Sequence, residues 1–447
     1  MFERRLRRRN LTGEVRKGGG PPSEESPGAR AVMTRMGVLF PNGSSQKKET
    51  LEAYLTRGGY QALEKAYTEL GPQGVLEMVE AAELLGRGGA AFPTAKKWRF
   101  ARQEPSPRYV VLNGGEDEPG SLKDRMLMEH HPHLVLEGVL LAAHAIEAEE
   151  AYLYVNHTYE AAIGGLKNAL AEARSKRYVK IPFTLFPAPT EYVAGEDTAA
   201  LEAIEGKEAL PRKKPPYPTT AGLFGKPTVV NNVETFANVP PIVLKGPQWY
   251  RSIGSEGCHG TALFTLGEEM SRPGVYELPF GTPLRYLIEQ CGGGLRSGTR
   301  LKAILPGGPS SAFLTPDQLD VKLDYGSLVN AGSTLGCGVV RCLAEDECVV
   351  EELLRIARFF EKESCGQCSA CRMETGMLKA ILEKSERGEG TTDLLPQVEK
   401  VINFAKGKGF CSLIGMPGPP ITSALRLFPE DFQAHLREKR CPYKREG

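Results

Sequence analysis

No stretch of this sequence stays apolar for the roughly 20 residues a membrane-spanning helix needs. That absence predicts a soluble protein with no direct membrane insertion. Net charge is missing too. The chain has 56 basic and 55 acidic residues, a formal +1, and so lacks the general basic excess of a nucleic-acid binder. Cysteine is sparse, ten in 447 residues, which excludes a disulfide scaffold. Their clustering points to metal in a reducing compartment, hence the cytoplasm. The length allows two or three domains with a large buried core.

The opening stretch, MFERRLRRRNLTGEVRKGGGPPSEESPGAR, has almost nothing to bury. Glu3, Glu14, Glu24 and Glu25 spoil a transit-peptide pattern, and no apolar signal segment is present. Residues 1–46 read as a disordered tail, or in part as the product of a start codon placed too early, with Met33 or Met36 the true first residue.

Helical periodicity begins near Lys47 and runs into the glycine stretch GRGGAAF. An apolar strand from Tyr109 to Leu112, an amphipathic helix from Leu134 to Ala143, a strand at 151–155 and a helix to about Ala173 follow. That alternation predicts an α/β layer fold with a largely parallel sheet and ligand loops after the strand ends. Near Thr261 a compact α+β module begins, with strands on either side of an Arg-Pro-Gly turn. A short helix capped by Thr282, with Pro283 at its first position, and a strand at Leu301–Leu305 complete it. From Asp346 the pattern is helical.

That last part contains ESCGQCSACR, with Cys365, Cys368 and Cys371 three apart. On a tight loop opening a helix, side chains at this spacing converge on one centre, and helix N–H groups stabilise charge on sulfur. Thiolates suit zinc or iron–sulfur. A compact triplet plus one remote cysteine fits a [4Fe–4S] cluster better than zinc, which more often uses two C-x2-C pairs. The fourth ligand is open among Cys258, Cys291, Cys337, Cys342, Cys348, Cys411 and Cys441. Cys411, in KGFCSLIG, is preferred because it shares the helical region and has glycine neighbours.

LLGRGGAAFPTAKKW formally matches a dinucleotide fingerprint at Gly86, Gly88 and Ala91. A helix precedes it where a strand is required, so it reads better as an anion cradle, with Arg87, Lys96 and Lys97 nearby, or as a plain interhelical turn. NGGEDEPGSLKDR sets Glu116, Asp117 and Glu118 after a strand. There they bind a ribose hydroxyl, an amide or a metal, or are simply solvated, the default for an acidic loop. Asn231 and Asn232 offer donors and acceptors to a heterocycle edge.

With EYVAGEDTAALEAIEG, PRKKPPYP and GLFGKPTVVNNVET, these motifs make the chain resemble a known family over about residues 48–440. It is similar to the NADH-binding flavoprotein subunit of respiratory complex I, and to diaphorase subunits of NAD-linked formate dehydrogenases and hydrogenases. The resemblance implies a Rossmann-like flavin domain at 47–256, a ubiquitin-like domain at 257–344 and a four-helix bundle holding one [4Fe–4S] cluster at 345–447. By position, Gly86, Arg87, Gly88, Gly89 and Lys97 would hold the FMN phosphate. Asn113, Glu116, Tyr192, Gly195, Glu196, Asn231, Asn232 and Thr235 would line the flavin. Phe92, Phe100 and Tyr217 would stack the NADH adenine, with Glu118 and Asp197 near the nicotinamide end and ribose. Cys365, Cys368, Cys371 and Cys411 match the cluster ligands. No side chain need act as acid or base in hydride transfer, so no catalytic residue is assigned.

The family further implies a thioredoxin-like [2Fe–2S] subunit among other electron-transfer partners, and a place in a complex peripheral to the inner membrane. The chain departs from the family pattern at Ala91 and Ala95, where glycines are usual, at Gly114-Gly115, where Ala-Asp is usual, and at Ala194, where cysteine is common. The two methyl groups in the glycine loop would need extra room. Asp197 replaces a glutamate, which leaves NADPH open beside NADH. With only Cys441 beyond the matched cysteines, further clusters are not expected, and electrons would leave to a partner chain. A zinc-stabilised, non-redox scaffold is the reading from another class.

Overall fold

The computed structural model describes residues 37–40, 48–390 and 393–443. Helices α1 (Leu51–Thr56), α2 (Gly71–Ala81) and α3 (Thr94–Gln103) precede strand β1 (Tyr109–Gly114). Then come α4 (Lys123–His130), α5 (Pro132–Ile146), β2 (Glu150–Asn156), α6 (Glu160–Ser175) and β3 (Phe183–Ala188). Helix α7 (Asp197–Ile204), strand β4 (Thr228–Asn232) and α8 (Val233–Ala237) close this layer. The four strands are parallel, in order β3-β2-β1-β4. The chain winds outward from β1 to β3, then returns to the other side of β1 for β4. Loops leaving β1 and β4 therefore diverge, opening a crevice at the carboxyl ends of the strands. In register, Asn113 stands beside Asn232 there.

Helix α5 is not amphipathic as its sequence suggests: every residue except His144 is buried. His133 and Glu137 look like a polar face but are satisfied inside the protein. The Glu137 carboxylate accepts the Tyr54 hydroxyl and the N–H groups of Tyr60 (2.8 Å) and Leu63 (3.0 Å). Gly138 is required by close approach, since a Cβ there would lie 2.0 Å from the Phe236 carbonyl oxygen of α8.

A second sheet follows, built from β5 (Thr261–Leu266), β6 (Gly274–Pro279), β7 (Leu301–Leu305) and β8 (Val339–Ala344) in order β6-β5-β8-β7. Thr282 does not cap the short helix beside it; its hydroxyl donates to the Pro279 carbonyl at 2.7 Å, continuing the turn. The expected disordered tail fails at residues 37–40. Val38, Leu39 and Phe40 are buried, and their N–H groups donate to the Glu277 carboxylate on β6 at 2.6–3.0 Å. The rest of that stretch, with the start-site reading at Met33 or Met36, lies outside the described residues.

Helices α9 (Val349–Glu363), α10 (Ser369–Glu386), α11 (Leu394–Ala405), α12 (Gly418–Leu427) and α13 (Pro429–Glu438) finish the chain. Their core, around Leu353, Phe360, Leu378, Val398, Ile421 and Phe432, also takes in Ala303, Leu305 and Leu343 from the second sheet. Among the described residues no helix is long and apolar enough to cross a membrane.

Candidate functional site

A cleft of about 1400 Å³ opens at the carboxyl ends of β1 and β4. It is open to solvent at its mouth, and glycine-loop, acidic-loop and β4 residues all line it, as a ligand pocket at strand ends requires. The glycine loop forms one wall. Gly86 and Gly88 line it, and Gly89 follows with φ +99°. Among the described residues the N–H groups of Gly88 and Gly89 have no hydrogen-bond acceptor, as a cradle awaiting an anion requires. A Cβ at Gly88 would sit 3.3 Å from Asn232 Cβ.

Arg87 does not join this cradle. Its guanidinium turns into the protein, donating to Leu85 O (2.7 Å), Tyr250 Oη (2.9 Å) and the His259 and Thr261 carbonyls, over the Phe280 ring. Only its backbone serves the loop, through Thr235 Oγ1 at 2.9 Å. Lys96 is exposed, its ammonium near the Phe92 and Phe100 rings. Lys97 does face the cleft: Nζ donates to Val230 O at 2.9 Å, which leaves its other hydrogens for a ligand. Burial lowers its pKa despite the attraction of Asp197.

Ala91 takes φ +52°, a left-handed conformation that strains any residue with a Cβ. Ala95 sits buried inside α3 as an ordinary helical residue. The glycine-to-alanine differences thus alter strain at one position only. Ala91→Gly should leave the melting temperature unchanged or raise it, with a gain of up to about 1 kcal/mol once glycine's extra unfolded-state entropy is subtracted. A fall in melting temperature would contradict this.

The acidic loop is not solvated. Glu116 is buried, its carboxylate accepting Ser121 Oγ (2.5 Å) and the N–H groups of Asp124 (3.1 Å) and Arg125 (2.9 Å) at the start of α4. Burial and the neighbouring Asp124 charge push it up to about 7. Burial likewise raises Asp117 to about 6 and Glu118 to about 7. Asp117 Oδ1 accepts from Asn156 Nδ2 at 2.8 Å, while Oδ2 is buried without a partner at the cleft wall. Asn113 staples two loops, donating to Gly195 O at 2.8 Å and accepting from Gly115 N. Gly195 is needed there, since a Cβ would lie 2.7 Å from Gly115 O. A Cβ at Gly115 would meet the Tyr154 ring at 3.0 Å, so the usual aspartate would require that ring to yield by a few tenths of an ångström.

Asn231 and Asn232 both reach the cleft. Asn231 Oδ1 accepts from Trp98 Nε1 at 2.9 Å, and its Nδ2 has no partner among the described residues. Asn232 is spent internally, on Asp124 (2.5 Å), Lys123 (3.1 Å) and the Glu234 N–H. The sequence reading missed Lys123. It is a fully buried ammonium that pairs with Asp124 at 2.8 Å and Glu234 at 3.1 Å. Asp124 is its neighbour in the chain, but Asn232 lies 109 positions away and Glu234 just beyond it, so only the folded chain brings the group together.

Opposite the glycine loop, Glu196 caps α7 by accepting from the Ala199 N–H at 2.9 Å. Lys214 Nζ binds both Glu196 Oε1 and Asp197 Oδ1 at 2.6 Å, another residue the sequence reading did not single out. Phe92 lines the cleft, whereas Phe100 and Tyr217 lie outside its wall; all three rings are exposed, by 42%, 42% and 59%. Cys337 lines the cleft but not the neighbouring cavity that gathers the cysteine triplet, which removes it as a cluster ligand.

A smaller, tightly packed cavity is lined by Cys365, Cys368, Cys371 and Cys411. The triplet occupies a tight loop, with Gly366 at φ +79°, that ends at Cys368 as the residue before α10. The Phe410 N–H donates to Cys368 Sγ at 3.3 Å and Gln367 Nε2 to Cys365 Sγ at 3.7 Å. These donors stabilise negative charge on sulfur. A single zinc ion would hold such sulfurs about 3.8 Å apart, from Zn–S bonds of about 2.3 Å in a tetrahedron. No three of these four bring their sulfurs within 4.8 Å of one another. The four are therefore not drawn together as tightly as one zinc ion would hold them. Cys258, Cys291 and Cys342 lie in the core of the second sheet, and Cys348 and Cys441 pack elsewhere, beside His435. Cys411, Val193 and Leu413 line the cavity and the cleft alike, so the two share a wall. Tyr192 packs there, its hydroxyl donating to Met416 Sδ at 3.6 Å and close enough to Glu118 to influence that carboxyl.

Residues 79–241 match the model of the Nuo51 FMN-binding domain, and 351–435 that of the NADH-ubiquinone oxidoreductase-F iron–sulfur binding region. Residues 265–314 match an SLBB domain. The chain is 41% identical to the second NADH-quinone oxidoreductase F subunit of Rhizobium meliloti (strain 1021), over 91% of this chain and 99% of that one. The chain belongs to the family of NADH-quinone oxidoreductase F subunits. Another member, the F subunit of Aquifex aeolicus (strain VF5), is 38% identical over 91% of this chain and 96% of its own. A solved NAD+-reducing [NiFe]-hydrogenase, in the air-oxidized state, superposes with a TM-score of 0.78 at 34% identity, covering 87% of this chain and 67% of that one. The family models of the F subunits meet the geometry at both places: the FMN-binding match spans the glycine loop, the acidic loop and β4, and the iron–sulfur match spans all four cavity cysteines.

Proposed function

We propose that this chain is the NADH-oxidising flavoprotein subunit of a multi-subunit oxidoreductase, as in NADH-quinone oxidoreductase. The observation that carries this is the wall of Cys411, Val193 and Leu413 common to the nucleotide-sized cleft and the thiolate cavity. Bound FMN would supply two-electron hydride chemistry toward NADH and one-electron transfer toward a [4Fe–4S] cluster. The unpartnered N–H groups of Gly88 and Gly89, with Lys97, bind the FMN phosphate. Asn231 Nδ2 and the orphaned Asp117 Oδ2 meet the polar edges of what enters the cleft. Cys365, Cys368, Cys371 and Cys411 hold the cluster.

The parallel-sheet layer, residues 47–256, is read as a Rossmann-like FMN and NADH domain, 257–344 as a ubiquitin-like domain and 345–447 as the helical bundle that binds the cluster, with five helices, α9–α13, where the resemblance implied four. Exposed Phe92, Phe100 and Tyr217 offer faces for an adenine. Electrons leave to a thioredoxin-like [2Fe–2S] partner and further subunits at the cytoplasmic face of the inner membrane. A second reading, the diaphorase subunit of a soluble hydrogenase or formate dehydrogenase, is favoured by the likeness to the NAD+-reducing hydrogenase.

Asp197 bears on coenzyme choice. A carboxylate at the ribose disfavours a 2′-phosphate, but Lys214 offsets its charge at 2.6 Å. NADH should therefore bleach the flavin faster than NADPH under anaerobic conditions, with NADPH still reacting. Equal rates would show that Asp197 does not discriminate. Glu118 bears on pH. Burial raises its pKa from 4.5 to about 7. The folded state therefore retains a proton that the unfolded state gives up above 4.5. Glu118 favours the fold least above about 7, where it is ionised in both states. That ionisation sets a negative charge in the cleft, so NADH affinity should fall as pH rises through 7. Glu118→Gln should flatten this part of the profile, measured as the NADH dissociation constant on either side of 7; an unchanged profile would sink the assignment.

A further inference from the structure

We infer that Cys348, His435 and Cys441 form a second metal site, separate from the cluster cysteines, that takes a thiophilic divalent ion of the zinc type. The three residues come from opposite ends of the helical region: Cys348 immediately precedes α9, His435 lies in α13, and Cys441 follows α13. All three are buried, and their ligand atoms lie within 4.8 Å of one another. Cys348 Sγ is 3.5 Å from His435 Nε2. This is the approach one ion demands when bound at about 2.0–2.3 Å by nitrogen and sulfur.

The surroundings are those of a ligand set. His435 Nδ1 lies 2.7 Å from the Asp431 carbonyl oxygen. A carbonyl can only accept, so Nδ1 carries the proton and Nε2 turns its lone pair toward the sulfur. A carbonyl fixing the tautomer from behind is how metal-binding histidines are oriented. Cys348 Sγ also accepts the Glu351 N–H at 3.4 Å, so a thiolate there has a helix N-terminus behind it. The Asp431 carboxylate is already committed to Lys302 (2.7 Å), Tyr443 Oη (2.8 Å) and the Val349 N–H (3.1 Å), and is not free to ligate. That leaves two sulfurs and one nitrogen, with water as the fourth ligand. The ion would tie α13 and the segment after it to the start of α9, 87 positions earlier in the case of His435, and its binding energy would stabilise the fold of the helical region.

The test is metal analysis and zinc-edge X-ray absorption on the full-length protein purified with its cluster. About one zinc per chain is expected beside the cluster iron, with sulfur scatterers at about 2.3 Å and nitrogen or oxygen at about 2.0–2.1 Å. Cys441→Ser and His435→Gln should each lose the zinc and keep the iron. Should either variant fail to fold, cobalt(II) replacement in the wild type decides, through thiolate charge-transfer and tetrahedral d–d absorption. Four results would overturn the inference: full iron without zinc, zinc with sulfur scatterers only, zinc retained in both variants, or a Cys348–Cys441 disulfide in the purified protein.

Discussion

Lys123→Met is expected to destabilise the nucleotide-binding layer by about 3–5 kcal/mol, the cost of removing one partner from a buried ion pair. Lys123 is 1% exposed, and its ammonium holds Asp124 at 2.8 Å and Glu234 at 3.1 Å, both carboxylates buried. Methionine fills the volume and leaves Asp124 and Glu234 without their shared cation, with only the Arg87 guanidinium, 3.9 Å from Glu234, still beside them. Burial already raises the Glu234 pKa in the presence of Lys123, so losing that charge should leave Glu234 protonated. The melting temperature should fall on the order of 10 °C. Flavin retention should fall with it, because Lys123 also fixes the Asn232 amide at 3.1 Å in the cleft wall. Adding Glu234→Gln should restore part of the loss, since an amide needs no proton uptake to be neutral in that buried site. An unchanged melting temperature in the single variant would contradict the ion-pair account.

Cys411→Ser is expected to abolish electron delivery to one-electron acceptors through the cluster while leaving NADH-dependent flavin bleaching in place. Loss of a ligand-orienting contact costs about 10–100-fold in metal affinity, and loss of a ligand itself should exceed that. Cluster iron should therefore fall below stoichiometry. The flavin side is expected to survive because Cys411 contributes only to the common wall, whereas the phosphate cradle is built from other residues, Gly88, Gly89 and Lys97. Iron content equal to wild type would remove Cys411 from the ligand set and reopen the question of the fourth ligand.

What the sequence disclosed was local. The strand at Tyr109 and the one after Glu150 are continuous apolar runs, and parallel strands buried on both faces look like that. The cysteine spacing already implied a loop opening a helix, and Cys368 stands at the start of α10. What stayed hidden depends on partners distant in sequence. His133 and Glu137 mimic a solvent-facing stripe on α5 because their partners, Tyr54 and Tyr60, lie some eighty positions away. Arg87 sits among glycines and lysines that suggest a phosphate, yet Tyr250, His259 and Thr261 draw it inward. Three acidic residues in a row imply a wet loop until Ser121, Asn156 and Tyr192 close over them. Val38 to Phe40 are held by Glu277 of β6, which gathers their N–H groups, and by burial of their side chains in the core, partners far away in the sequence.

The central claim is that the cleft and the thiolate cavity are one electron path, joined where Cys411, Val193 and Leu413 separate them. The most direct measurement is anaerobic mixing of the purified protein with NADH, following flavin absorbance and then recording the electron paramagnetic resonance of frozen samples. The account predicts bleaching of the flavin together with the signal of a reduced [4Fe–4S] cluster, and bleaching alone in Cys411→Ser. A flavin that bleaches beside a wild-type cluster that dithionite reduces and NADH leaves oxidised would contradict it.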